Sequence, residues 1–129
     1  MIINFMTSVT VESASVTSGT GSVSSFSGSG TSQITVNLTG VTNVQRITVT
    51  LHNVNNGTTT GDVPVSMGVL LGDVNGNAAV NASDVSLTKA QVGQLVSGSN
   101  FREDVNASGT ISATDVAQVK AEVGTALPP

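Results

Sequence analysis

The sequence predicts a two-part protein: an all-β half built as a sandwich, then an all-α half built from a duplicated loop and helix. Two observations carry this reading. Apolar and polar residues alternate at period two through residues 33–40 and 46–53, the pattern of strands with one buried face. Further on, the chain repeats itself: GDVNGNAAVNASDVSLTKAQVG (72–93) aligns without a gap on EDVNASGTISATDVAQVKAEVG (103–124). Such a repeat decides architecture ahead of local propensity. The β part is therefore set at residues 1–71 and the helical part at 72–129.

In the β part, residues 2–6, 9–12 and 13–17 read as short strands. A Ser/Gly stretch to Gly30 follows, with only Val23 and Phe26 as apolar anchors. In 33–40, Ile34, Val36 and Leu38 share one face, with Thr35, Asn37 and Thr39 on the other. Ile47, Val49 and Leu51 likewise oppose Thr48, Thr50 and His52. Residues 63–71 turn Val63, Val65, Met67 and Val69 inward. Pro64 then belongs at an edge or bulge, because proline gives the ladder no N–H. Gly40, Asn55-Asn56-Gly57 and the run at 28–30 supply turns. Short strands at this spacing resemble the immunoglobulin-like (Ig-like) domains of bacterial extracellular proteins. In those domains a segment like IINF begins a strand entering the sandwich, and another strand ordinarily precedes it. Without that strand the sandwich is incomplete, and its unpaired edge recruits a strand from another chain.

No catalytic chemistry is expected here. His52, the only histidine, lies on the polar face of its strand with no carboxylate close in sequence, and reads as solvated. Glu12 and Asp62 read as isolated loop or edge charges. There is no G-x-S-x-G elbow, and no acid–base pair accompanies any serine. The expectation is a protein that is not an enzyme.

The helical part opens each copy with a twelve-residue loop, 73–84 and 104–115. Oxygen-bearing side chains fall at positions 1, 3, 5, 9 and 12, the ligand rhythm of an EF-hand calcium loop. They are Asp73, Asn75, Asn77, Asn81 and Asp84, then Asp104, Asn106, Ser108, Ser112 and Asp115. Position 7, which uses its backbone carbonyl, holds Ala79 and Thr110. Position 8 holds Val80 and Ile111, apolar residues suited to pairing across the two loops. Four of the chain's five Asp occupy first or twelfth positions, so turn composition alone is a poor explanation. After each loop the pattern turns helical: Val85, Leu87, Ala90 and Val92 precede Gly93, and Val116, Val119, Ala121 and Val123 precede Gly124. Ser83 and Thr114 are the expected N-caps, and Gly93 and Gly124 the expected C-caps. Residues 67–72 read as strand and turn, so the entering helix of a full EF-hand is missing.

GDVNGN…VN.SD, followed by FREDVN.SG.I.ATD, resembles the dockerin type I pattern. The resemblance implies two Ca²⁺ ions, a duplicated helical fold, docking onto a cohesin-like domain, and an extracellular bacterial setting. In that family, loop positions 10 and 11 and nearby helix residues select the partner. Here these are Ala82, Ser83, Ala113 and Thr114, with Lys89 and Lys120 further along each helix. Some positions depart from the pattern. Position 6, normally glycine, is Ala78 in the first loop and Gly109 in the second. Position 5 is Asn77 or Ser108, and position 12 is Asp rather than a bidentate Glu. Two carboxylates per loop suit extracellular calcium levels better than a cytosolic sensor.

Composition narrows the function. Four basic residues (Arg46, Lys89, Arg102, Lys120) form no cluster, which removes the electrostatic basis for binding nucleic acid. No apolar run approaches the roughly 20 residues that span a bilayer, and MIINFM does not read as a signal peptide. Cysteine is absent, and thiolate metal sites with it. Two Ca²⁺ would cancel the formal charge of −4, leaving a weakly charged surface inclined to associate. The sequence thus predicts a non-catalytic, calcium-stabilised extracellular protein that attaches to a cohesin-like partner. The alternative is a subunit that pairs with identical subunits, through strand exchange, into a filament or surface layer.

Overall fold

Period-two alternation produces six strands: β1 (Ile2–Val9), β2 (Ser13–Ser18), β3 (Ser22–Ser27), β4 (Thr31–Thr39), β5 (Gln45–Asn55) and β6 (Thr60–Val69). The computed structural model describes residues 1–129, and the chain divides into two units, Met1–Gly68 and Val69–Pro129.

In the first unit the strands form two three-stranded sheets, ordered β1-β4-β3 and β2-β5-β6. Antiparallel register sets Ile3 opposite Ile34 and Phe26 opposite Val36 in one sheet. In the other it sets Ala14 opposite Leu51 and Val16 opposite Val49. The inner faces share one core of Ile3, Val9, Val11, Ile34, Val36, Val49, Leu51 and Val54. Burying each such side chain contributes about 1.5–3 kcal/mol, which is why register here is firmly set. A one-residue slip would turn all of them outward. Pro64 lies in β6, an edge strand of its sheet, the kind of strand in which proline is tolerated.

Two sequence expectations change. The Ser/Gly stretch contains a full strand, β3. Val23 and Phe26 are three residues apart, so strict alternation sends them to opposite faces. A register shift between Val23 and Ser25 returns both to the core. The two strands expected within residues 2–12 are likewise one, ending at Val9, after which Thr10 makes a single two-bond bridge to Asn55.

The second unit holds α1 (Ala82–Ala90) and α2 (Ala113–Ala121), with a 3₁₀ turn at Phe101–Glu103 between them. Its core is Val74, Val80 and Val119, packed by Leu70, Val85 and Val105. The helices are short, and only part of the expected apolar stripe is covered. Val116 and Val119 are buried, whereas Leu87, Val92 and Val123 are exposed. In α1 the buried positions are Asp84 and Thr88, the Thr88 hydroxyl donating to the Asp84 carbonyl at 2.9 Å.

The caps also differ from expectation. The N-caps are Asn81 and Ser112, each closing a capping box with the Asp three residues on. The helices end at Gln91 and Glu122, and Gly93 and Gly124 lie two residues beyond with φ of +88° and +98°. Nor do Val80 and Ile111 pair with each other. Val80 exchanges backbone bonds with Gly124 and Thr125, and Ile111 with Gly93 and Gln94. Each loop therefore grips the segment that leaves the other copy's helix. No helix is long and apolar enough to cross a membrane.

Candidate calcium loops

Each loop is curled by its own side-chain oxygens. Asp73 Oδ1 accepts from the N–H groups of Gly76 and Asn77 at 2.9 and 3.0 Å, and Oδ2 from Ala78 at 2.9 Å. The Asn77 N–H is shared with Asn75 Oδ1 at 3.0 Å, which brings the position 1 and 3 oxygens together. Asn77 Oδ1 accepts from Ala79 N–H at 3.0 Å. The second loop repeats this: Ser108 N–H is shared by Asp104 Oδ1 and Asn106 Oδ1, both at 2.9 Å, and Gly109 N–H reaches Asp104 Oδ2 at 2.9 Å.

Position 12 closes the curl from the helix side. Asp84 is fully buried. Its Oδ1 accepts from Val74 and Asn75 at 3.1 and 3.3 Å, and its Oδ2 from Asn81 at 2.9 Å. Asp115, equally buried, accepts from Asn106 N–H at 3.3 Å, and from the Ser112 N–H and hydroxyl at 2.9 and 3.0 Å. Burial pushes the Asp115 carboxyl up, but these bonds from Ser112 and Asn106 outweigh it and hold the group below the usual carboxylate range.

Position 9 is where the loops and helices overlap. Asn81 Oδ1 and Ser112 Oγ accept from Ser83 and Thr114 N–H at 2.8 and 3.2 Å. They act as caps, which suits a position that in EF-hand loops often reaches the ion through water. The position 7 backbones bridge to the exit segments, Ala79 to Ala126 and Thr110 to Leu95. The Thr110 carbonyl also accepts the Ser108 hydroxyl at 3.0 Å.

The donor set fits a hard divalent cation. It consists of carboxylate, amide, hydroxyl and carbonyl oxygens, with no sulfur or imidazole. No group of three or more His, Cys, Asp or Glu forms, so each loop presents two carboxylates completed by neutral oxygens. The positions proposed from sequence for docking (Ala82, Ser83, Lys89, Ala113, Thr114 and Lys120) are all exposed.

Backbone strain is distributed symmetrically, whereas the sequence alone points only to position 6. Positions 4 and 6 both have positive φ in both loops: Gly76 and Ala78, then Ala107 and Gly109. Each loop thus carries one glycine and one alanine in a conformation that costs a side chain about 1 kcal/mol. Ala78→Gly and Ala107→Gly are each expected to stabilise the second unit by roughly 0.5–1 kcal/mol, measured as a shift of the urea midpoint. The reciprocal Gly109→Ala should cost a similar amount, since open space surrounds that position.

A duplicated loop–helix module with EF-hand-type loops and no entering helices is the class defined by this geometry. Residues 71–124 match the family model of the dockerin type I domain. The chain thus carries a dockerin type I domain following an N-terminal β-rich region. Domains of this type typically bind calcium, attach to cohesin domains, and belong generally to extracellular cellulosome components. Neither a curated protein nor a solved structure matches the chain.

Proposed function

We propose that this chain is a calcium-stabilised extracellular attachment protein. Its dockerin unit docks onto a cohesin-like domain, and its β unit serves as an Ig-like spacer. The observation that carries the reading is the duplicated site: first and twelfth aspartates held by equivalent backbone N–H groups in two loops. One Ca²⁺ would be held by Asp73, Asn75, Asn77, Ala79, Asn81 and Asp84, the second by Asp104, Asn106, Ser108, Thr110, Ser112 and Asp115. The dockerin unit's own role is non-catalytic, because its loop carboxylates are taken up as ligands and caps. Docking would use the exposed Ala82, Ser83, Ala113 and Thr114, with Lys89 and Lys120 alongside.

Calorimetric titration of the whole chain with calcium is expected to show two binding events, and capture by immobilised cohesin domains should require the ion. Replacing Asp73 and Asp104 together by Asn should abolish both. A melting profile that calcium leaves unmoved would sink the reading.

A second reading, self-assembly into a filament or surface layer, draws on β1. It is an edge strand that leaves Ile2 63% and Met6 104% exposed, the kind of edge that recruits another strand. Regular fibres formed by the purified chain alone would favour it.

A further inference from the structure

Across the β2-β5-β6 sheet, three side chains lie in hydrogen-bonded order. The Ser15 hydroxyl meets His52 Nε2 at 2.8 Å, and His52 Nδ1 meets Asp62 Oδ2 at 2.9 Å. This overturns the expectation that His52 and Asp62 are isolated and that no acid–base pair accompanies a serine. Asp62 Oδ1 is fixed in turn by Asn53 N–H at 3.0 Å. Asn53 has a φ of +50°, a departure from strand geometry that a non-glycine residue adopts only at a cost. Its side-chain amide donates to Glu12, which anchors the kink from the other side.

The direction of each bond follows from the acceptors. Asn53 N–H and the His52 ring hold the Asp62 carboxyl below its ordinary range, so it is ionised and can only accept. The Nδ1 nitrogen must then carry a proton, and in the neutral ring Nε2 is the lone-pair acceptor for the Ser15 hydroxyl. The His52 side chain is 31% exposed and that of Asp62 54%, so the group is open to a reagent.

We propose that Ser15 is an activated nucleophile, with His52 as its general base and Asp62 orienting the imidazole, and that it accepts acyl groups from activated esters. The site belongs to the first unit and is independent of the calcium loops. In the reaction, Ser15 Oγ bonds to the ester carbonyl carbon while its proton passes to His52 Nε2. The bond from that carbon to the leaving oxygen breaks, and the imidazolium returns the proton to the departing alcohol. A water that gives its proton to His52 Nε2 then bonds to the acyl carbon, the bond from that carbon to Ser15 Oγ breaks, and the imidazolium returns the proton to Ser15 Oγ as the carboxylic acid leaves.

The substrate class follows from what surrounds Ser15. It lies in a ladder, where backbone N–H groups serve strand pairing. Thr50, its partner across the ladder, is 8% exposed and bonded to Thr17 Oγ1 at 2.9 Å. Each missing oxyanion donor costs on the order of 10²–10³ in rate, so aryl esters and thioesters suit this site and amides do not.

The test is to treat the whole chain with p-nitrophenyl acetate and map the adduct by mass spectrometry. The expected result is one acetyl group on Ser15, none on Ser13, which lies opposite His52 in the same ladder. His52→Gln should slow acylation by about 10²-fold, and Asp62→Asn should slow it as well, with circular dichroism confirming that both fold. In the unaltered chain the rate should fall on acidification, because a protonated imidazole accepts nothing. A rate unchanged in His52→Gln, a flat pH profile, or acetyl groups shared evenly between Ser13 and Ser15 would each overturn the proposal.

Discussion

Asp84→Ala is expected to unfold the first loop and α1 together. Three backbone N–H groups, those of Val74, Asn75 and Asn81, give their hydrogen bonds to this one buried carboxylate. Leaving a buried donor unsatisfied costs about 1–3 kcal/mol, so two of the three left unpaired cost roughly 2–6 kcal/mol even if the third N–H finds water. Domains of this size are stable by only about 5–15 kcal/mol. The same residue is both cap and proposed calcium ligand, and the two roles separate by experiment. Urea unfolding of the whole chain, followed by its helical circular dichroism signal, is run in chelator and in excess calcium. The cap role appears as the loss in chelator. If Asp84 also ligates the ion, the loss grows in calcium, because the variant forfeits binding energy of about 2.7 kcal/mol at a hundredfold excess over Kd. Equal losses in both buffers would make Asp84 a cap and nothing more. Chelation alone should lower the midpoint of the intact chain's second unit while leaving the β unit's transition in place.

The parts of this structure legible in the sequence are those fixed by a local period. Ile47, Val49 and Leu51 alternate, and they are buried; the loop aspartates recur at fixed spacing, and they are bound alike. What the sequence does not show is set by register or by overlap. The strand at β3 was hidden because its bulge breaks the alternation of Val23 and Phe26. The capping boxes Asn81-Ala-Ser-Asp84 and Ser112-Ala-Thr-Asp115 lie inside the ligand spacing, so residues read as ligands took the cap role given to Ser83 and Thr114. His52 and Asp62 are ten positions apart, and only the turn closed by the Asn56–Thr59 bond sets them side by side. A hairpin register was the one signal that could have paired them. The partners of Val80 and Ile111 differ from expectation for a related reason. A hydrophobic residue at position 8 calls for pairing, yet its spacing does not say whether a loop or a helix exit supplies it.

That exchange of partners makes the two candidate calcium loops unequal toward removal of the residues after Gly124. The exit of α1, which grips the second loop through Gly93 and Gln94, is internal to the chain. The exit of α2, which grips the first, is residues 124–127. Thr125 accepts from Val80 N–H and Leu127 N–H reaches the Ala78 carbonyl, both at 2.9 Å, with Ala126 bridged to Ala79. Ending the chain after Gly124, the last residue of the dockerin match, removes all three. Val80 is 2% exposed, so its N–H loses its acceptor where water is scarce, and the half-buried Leu127 no longer covers its neighbours. The combined cost is roughly 2–4 kcal/mol, concentrated on the first loop. The truncated chain is therefore expected to keep one calcium-binding event near its original affinity while the other weakens tenfold or more, since each factor of ten is about 1.4 kcal/mol. Calorimetry on the truncated chain reads this directly, and Leu127→Ala should show a milder form of the same asymmetry. If both events weaken together, the second unit responds as one cooperative body and the loops are not held separately by their exits. If neither changes, the tail bonds add nothing to the first loop. The selective outcome would also weaken cohesin capture, because Ala82 and Ser83 follow that loop directly and start the helix that the loop holds in place.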